Sequence, residues 1–238
     1  VKTLAFAFTI NLVWLVSAPA DLTLVQKIEE GGAQASEMTI KIKGDKSRVD
    51  ATPELATIYD SKTGDALQLM KEQKAVMHMS AAKMKAAAEM MKAYSGQTQP
   101  TTRAKLTPTG KKETINGYEA EEYTAENAAF KTSYWIAPKY PDGAAILKQL
   151  QVINSNAWDP GNMGVPNFND LPGLPIRTVI WMNGTQITST LVSVKQDPVS
   201  ETEFTVPKEY KEVQMPDIGS LLQEEGKKPA ASASPKKK

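Results

Sequence analysis

Lys112-Glu113-Thr114-Ile115-Asn116-Gly117-Tyr118-Glu119-Ala120-Glu121-Glu122-Tyr123-Thr124-Ala125 reads as two strands folded back on one another. Asn116-Gly117 sits between two β-prone arms. A two-residue hairpin turn that matches strand twist needs positive φ at both central positions, and Asn and Gly tolerate it best. A hairpin joins antiparallel neighbours, so this stretch sets the expectation of an antiparallel sheet.

The pattern extends in both directions. Upstream, Met38, Ile40 and Ile42 alternate with Thr39, Lys41 and Lys43, a period of two that marks a strand with one buried face. Gly44-Asp45 breaks it, and the segments Arg48 to Ala51, Leu55 to Tyr59, Leu67 to Leu69 and Val76 to Met79 continue as short strands. Asp60 to Gly64 and Lys71 to Lys74 read as turns, the first because Asp bonds nearby backbone N–H groups and Gly accepts positive φ. Downstream, Lys131 to Ile136 is a further strand. Ile176 to Met182 and Thr185 to Val194 flank Asn183-Gly184 as a second hairpin, and Phe204 and Val206 fit a short closing strand.

Two helices interrupt the strands. Ser80 caps one running to about Tyr94, with Met84, Ala87, Ala88, Met91 and Tyr94 on one side. Asp142 caps the other, with Ile146, Leu147, Leu150 and Ile153 as its buried stripe. Residues 97–111 read as a polar linker, and residues 154–175 as a long aperiodic loop with four prolines. About ten strands, two helices and no βαβ rhythm predict an α+β fold: a curved antiparallel sheet with helices on one face.

The ends differ from the body. Lys2, an apolar run from Leu4 to Val16, and Ser17-Ala18-Pro19-Ala20 have the order of a secretory leader cleaved after Ala20. The apolar run is shorter than the ~20 residues a membrane span needs. Export to a bacterial periplasm or to the medium is the expectation, with no transmembrane span in the mature chain. The domain is expected over residues 21–213, as a monomer, followed by a disordered Lys/Pro/Ala-rich tail over 214–238. Setting aside Lys2 and the five lysines of residues 227–238 leaves 22 basic against 27 acidic residues, a net charge of −5. A body of that sign lacks the basic face that nucleic acid needs. The tail is a candidate for contact with anionic lipid, a cell-wall polymer or an envelope protein.

The chain has one His and no Cys. Cys–His catalysis is therefore excluded, as are zinc sites built from several such ligands. No nucleophile elbow accompanies His78, so no catalytic residue and no cofactor is expected. Met77-His78-Met79 suggests Cu(I), which soft thioether ligands suit. A strand, however, points His78 away from both methionines. Glu119, Glu121 and Glu122 form an acidic run that reads most simply as a solvated strand face. Met70, Met77, Met79, Met84, Met90 and Met91 crowd one strand–strand–helix region, and methionine adapts to varied apolar partners. Trp135 and Trp181 are expected inside the sheet or at its rim. Trp158 is expected to anchor the Pro-rich loop or to gate a pocket.

Three segments carry a resemblance. Thr109 to Tyr123, Pro172-Gly173-Leu174-Pro175-Ile176-Arg177-Thr178-Val179 and Phe204-Thr205-Val206-Pro207-Lys208-Glu209-Tyr210, in that order behind Met38 to Val49, resemble a bacterial envelope family catalogued as a domain of unknown function, number 4412. The chain is also similar in plan to the LolA/LolB lipoprotein-carrier fold. The resemblance implies an incomplete, half-open β-barrel wrapped around helices, holding an acyl chain or other lipid-like ligand in an apolar hollow. Candidate lining residues are Met77, Met79, Met84, Met91, Trp135, Leu150, Trp158 and Trp181. A structural or protein-interaction module with a solid core is the alternative, and methionine-based copper handling a second.

Overall fold

A computed structural model describes residues 21–86, 89, 104–126, 131–153, 166, 168–182 and 184–214. The expected leader, the tail beyond residue 214, Met91 and Trp158 lie outside the described residues. The strands are β1 (Leu22–Glu30), β2 (Ser36–Lys43), β3 (Lys46–Asp50), β4 (Leu55–Asp60), β5 (Ala66–Met70), β6 (Ala75–Met79), β7 (Thr107–Ile115), β8 (Tyr118–Glu126), β9 (Lys131–Ala137), β10 (Leu174–Met182), β11 (Thr185–Lys195) and β12 (Lys211–Val213). They form one curved 12-stranded sheet in the order β12-β6-β5-β4-β3-β2-β1-β11-β10-β9-β8-β7. Every neighbouring pair is antiparallel except β12 and β6. Among the described residues β12 and β7 are the two edges, so the sheet curls without closing into a barrel. The class is α+β, as the hairpins and helices predict.

The turn chemistry matches the residues that suggested it. Asn116 and Gly117 take φ of 50° and 84° between β7 and β8. Asn116 Nδ2 also donates to Leu191 O at 2.7 Å, which ties this hairpin to β11. Asp60 Oδ1 accepts from Lys62 N at 2.9 Å and Thr63 N at 3.3 Å, and Gly64 follows at φ +75°. Ser80 Oγ accepts from Lys83 N at 3.3 Å, capping helical residues 81–86.

Three strand assignments depart from the sequence pattern. β1 was not anticipated, because a register shift at Val25/Gln26 interrupts its alternation. Residues 107–111, read as linker, belong to β7. Phe204 and Val206 make no strand. Phe204 ends a 3-10 turn, Glu201–Phe204, and the last described strand is β12.

Cross-strand register separates the two faces of β1–β6. Leu22, Leu24, Ile40, Ile42, Val49, Ser47, Thr57, Tyr59, Ala66, Gln68, Met77 and Met79 follow one another across successive pairs on one face. The helix Gly143–Leu150 lies on this face. Its residues Ile146, Leu147 and Leu150 are buried with Leu22, Leu24, Ile40, Ile42, Ile136, Leu174 and Ile176 in the larger core. Positions 143, 146, 147 and 150 form the single buried stripe of this eight-residue helix. Asp142 stands at its N-cap but does not cap it as expected: its side chain makes no cap hydrogen bond, and its φ is +53°.

The opposite face of the same strands carries a second, smaller core. Ala56, Ile58, Leu69 and Val76 are covered by Val199 and Phe204, with Val206 and Tyr210 packed alongside. Residues 199–210 thus form a strap across the outer face, and polar contacts fasten it. Val199 N donates to Asp21 Oδ2 at 2.7 Å, and Lys43 Nζ donates to Val199 O at 2.6 Å. Arg48 grips both Asp50 oxygens at 2.9 Å and donates to Glu203 O at 2.9 Å. Lys71 adds a third hydrogen bond to Asp50 at 2.7 Å. The strap then delivers β12 to the edge of β6.

Two substitutions probe this architecture. Phe204→Ala empties the centre of the outer core and should lower unfolding free energy by about 3–5 kcal/mol in urea titrations. Gly173→Ala tests the glycine of the Pro172–Pro175 segment. A Cβ there would lie 2.6 Å from Ala137 O and 2.6 Å from Pro138 Cα. Backbone atoms cannot move aside cheaply, so a loss of about 1–3 kcal/mol is expected by the same measurement.

Candidate functional site

The inner helix is flanked by two clefts. The larger, about 390 Å³, opens between Ala144, Leu147 and Lys148 of the helix, Gln151 just after it, and Phe168, Asn169 and Leu171 of the chain that returns to β10. Its walls are apolar where Leu147, Phe168 and Leu171 meet, and these residues continue directly into the larger core. Its rim is polar, with Lys148 exposed and Gln151 Nε2 bonded to Asn169 Oδ1. The smaller cleft, about 250 Å³, lies at the helix amino end between Tyr118, Tyr140, Pro141, Asp142, Ile146, Val194 and Gln196.

The candidate ligand-lining residues fall into separate groups. Met77 and Met79 lie on the same sheet face as the helix and are half-buried, but they belong to neither core cluster. Met84 is half-buried on helical residues 81–86. Leu150 is buried in the larger core, and Trp135 packs against that core from β9. Trp181, near the tip of the β10–β11 hairpin, is 38% exposed, and its Nε1 donates to Gln186 Oε1 at 3.1 Å. Leu150 and Trp135 therefore meet at one core, Met77 and Met79 stand apart on the same sheet, and Trp181 reaches solvent.

The sequence marks Leu147 only as part of a buried stripe, and Phe168 and Leu171 fall in an aperiodic stretch. Their signal was a pair of apolar residues three apart in a Pro- and Asn-rich loop, the spacing of one short helical turn.

The polar candidates have structural partners. His78 is exposed on the outer face, with Nε2 3.5 Å from Asp65 Oδ2. Among the described residues, no three His, Asp or Glu side chains come together in a way that could hold a metal ion. Of the acidic run, Glu121 pairs with Lys112 at 2.6 Å. Glu122 is buried instead, its Oε1 accepting from Ser133 Oγ at 2.6 Å and its Oε2 from Thr109 Oγ1 at 2.9 Å, with Lys111 Nζ 3.2 Å away. Burial alone would raise its pKa. The bonds from Ser133, Thr109 and Lys111 outweigh that penalty, and the net shift is downward. Thr109 and Lys111 lie in the register shift of β7, so Glu122 clamps the bulge that Gly110 makes at φ +80°.

On the inner face, Ser47 and Tyr59 face each other across β3 and β4, and their buried hydroxyl oxygens have no hydrogen-bond partner among the described residues. At the smaller cleft, burial and then the neighbouring Tyr118 raise the Tyr140 phenol above its ordinary value. It is therefore a neutral hydrogen-bond donor near pH 7.

The chain belongs to the DUF4412 family, a domain of unknown function, which matches residues 22–210. No curated protein matches it. Among solved structures, PNGF-II is 12% identical with a TM-score of 0.42; the match covers 86% of this chain and 33% of that one. This chain therefore spans about a third of PNGF-II. A LolA superfamily protein from Nitrosomonas europaea is 11% identical with a TM-score of 0.32, covering 79% of this chain and 90% of that one. The Mycobacterium tuberculosis lipoprotein LppX is 11% identical with a TM-score of 0.34, covering 75% and 88%.

The Glu122 clamp makes stability depend on acid in a defined direction. Its folded pKa lies below the ordinary glutamate value, so its contribution is complete above about pH 4.3 and is lost as pH falls through the lower folded value. Glu122→Ala should cost about 1–3 kcal/mol at neutral pH, because the buried Ser133 hydroxyl loses its acceptor. The difference from the parent should shrink in urea titrations as pH is lowered below that value.

Proposed function

We propose that this DUF4412 protein is an exported, non-enzymatic component of the bacterial cell envelope that binds an apolar or lipid-like ligand between its sheet and helices. The observation that carries this reading is the cleft of about 390 Å³ walled by Leu147, Phe168 and Leu171. An apolar cleft with a few polar groups at its rim is the usual form of a small-molecule site. The open sheet supports the same reading. An eight-residue helix is about 12 Å long. Twelve strands at about 4.8 Å spacing extend several times further. Among the described residues, the Gly143–Leu150 helix therefore covers only part of the inner face, and Met77 and Met79 on that face suit a variable apolar partner. The leader-like residues 1–20 motivate export, and the Lys-rich residues 227–238 an anionic envelope surface.

Protein purified after organic extraction and titrated with cis-parinaric acid tests the reading. Saturable uptake is expected, weakened by about tenfold or more in Phe168→Asp, which places a charge on the apolar wall. Trp181→Ala, at the exposed hairpin, should leave uptake unchanged. Absence of saturable uptake by the folded parent would overturn the reading.

A further inference from the structure

The smaller cleft differs in chemistry from the apolar one. It lies on the far side of the same helix, and its residues come from the start of β8, the link before the helix and the end of β11. Tyr118 and Tyr140 form a tilted aromatic pair, with ring centroids 4.5 Å apart and planes inclined by 41°. Both rings remain half-exposed at the cleft. Ile146 and Val194 add an apolar floor. Asp142 and Gln196 are exposed at the rim, and neither side chain has a hydrogen bond or ion pair among the described residues. Asp142 holds this place at φ +53°, where glycine would be easier. It does so without using its side chain to cap the helix, the task an Asp at that position ordinarily performs.

Charge narrows the ligand. The Asp142 carboxylate repels anions. The helix amino end, with its partial positive charge, offsets that carboxylate and weakens the case for a cation. An aliphatic chain would make no use of the Asp142 carboxylate, the Gln196 amide or the two phenol hydroxyls at the rim. What remains is a neutral molecule with an apolar face and several hydroxyls, about the size of one ring in a cleft of about 250 Å³. We propose that this cleft binds a neutral sugar residue. The C–H face of a pyranose packs on the tyrosine pair, two hydroxyls donate to Asp142, and the Gln196 amide and tyrosine hydroxyls complete the set. The site stands independently of the apolar cleft, since the two share no residue and lie on opposite flanks of the helix.

The test is ¹⁹F NMR of the full chain labelled with 3-fluorotyrosine, titrated separately with glucose, N-acetylglucosamine and choline. Saturable shifts of the Tyr118 and Tyr140 signals with at least one sugar, at concentrations up to about 50 mM, are expected for a single ring in an open cleft. Tyr140→Ala should weaken binding by about tenfold, the loss of one stacking partner. Asp142→Gly suits the backbone conformation and should keep the fold while weakening binding to a similar degree. Lys62→Ala, at the exposed Asp60–Gly64 turn, should leave sugar binding unchanged. The proposal is overturned if no sugar gives a saturable shift, if choline binds and the sugars do not, or if binding survives both Tyr140→Ala and Asp142→Gly.

Discussion

The packing of Ile146, Leu147 and Leu150 onto Leu22, Leu24, Ile40 and Ile42 is the contact on which the rest of this structure depends. A single antiparallel sheet cannot bury its own surface and needs another layer against each apolar face. Among the described residues the inner layer is short. One helix of eight residues, followed by the chain around Phe168 and Leu171, holds together strands that are distant in sequence, because β1, β2, β9 and β10 all contribute to the same cluster. The helix is therefore both the plug of the core and the wall of both clefts. Any ligand beside it must share the surface that keeps the sheet curled.

The outer face solves the same problem differently. β4, β5 and β6 carry apolar side chains on both faces, so alternation alone cannot hide them all. The strap at 199–210 covers the outer set, and charged groups on β2 and β3 hold it down through its own carbonyls and carboxylates. The Arg48–Asp50–Lys71 group is half-buried and multiply bonded, the arrangement in which charged pairs contribute most at a surface. The exposed pairs, such as Lys62 with Asp45, add little.

Local signals were legible in the sequence wherever chemistry and conformation are tied at short range. Asn116-Gly117, Asp60 and Ser80 each act within three residues, so their turns and cap follow from residue type. The inner-face alternation of Met38, Ile40 and Ile42 was equally clear, as was the helical stripe from Ile146. Legibility ended where an irregularity or a distant partner decides the outcome. The Val25/Gln26 shift hid β1. Phe204 and Val206, two apart, suit a strand face, but they also suit a strap pressed onto one. Glu122 looked like its solvated neighbours, because nothing in a run of glutamates shows that Ser133 and Thr109 will surround one of them. The smaller cleft draws Tyr118, Tyr140, Asp142 and Gln196 from points up to 78 positions apart. No spacing rule brings such residues together before the fold does.

The order in which these parts become available along the chain has its own consequence. Strands β2 to β6 can zip together from nearest neighbours, with short turns and low loop entropy. Their oily outer surface must then wait for Val199 and Phe204, more than a hundred residues later in synthesis. Throughout that interval the nascent sheet presents an unshielded flank of the kind that draws chains into aggregates. A chain built this way gains from keeping that flank shielded until residues 199–210 have been made.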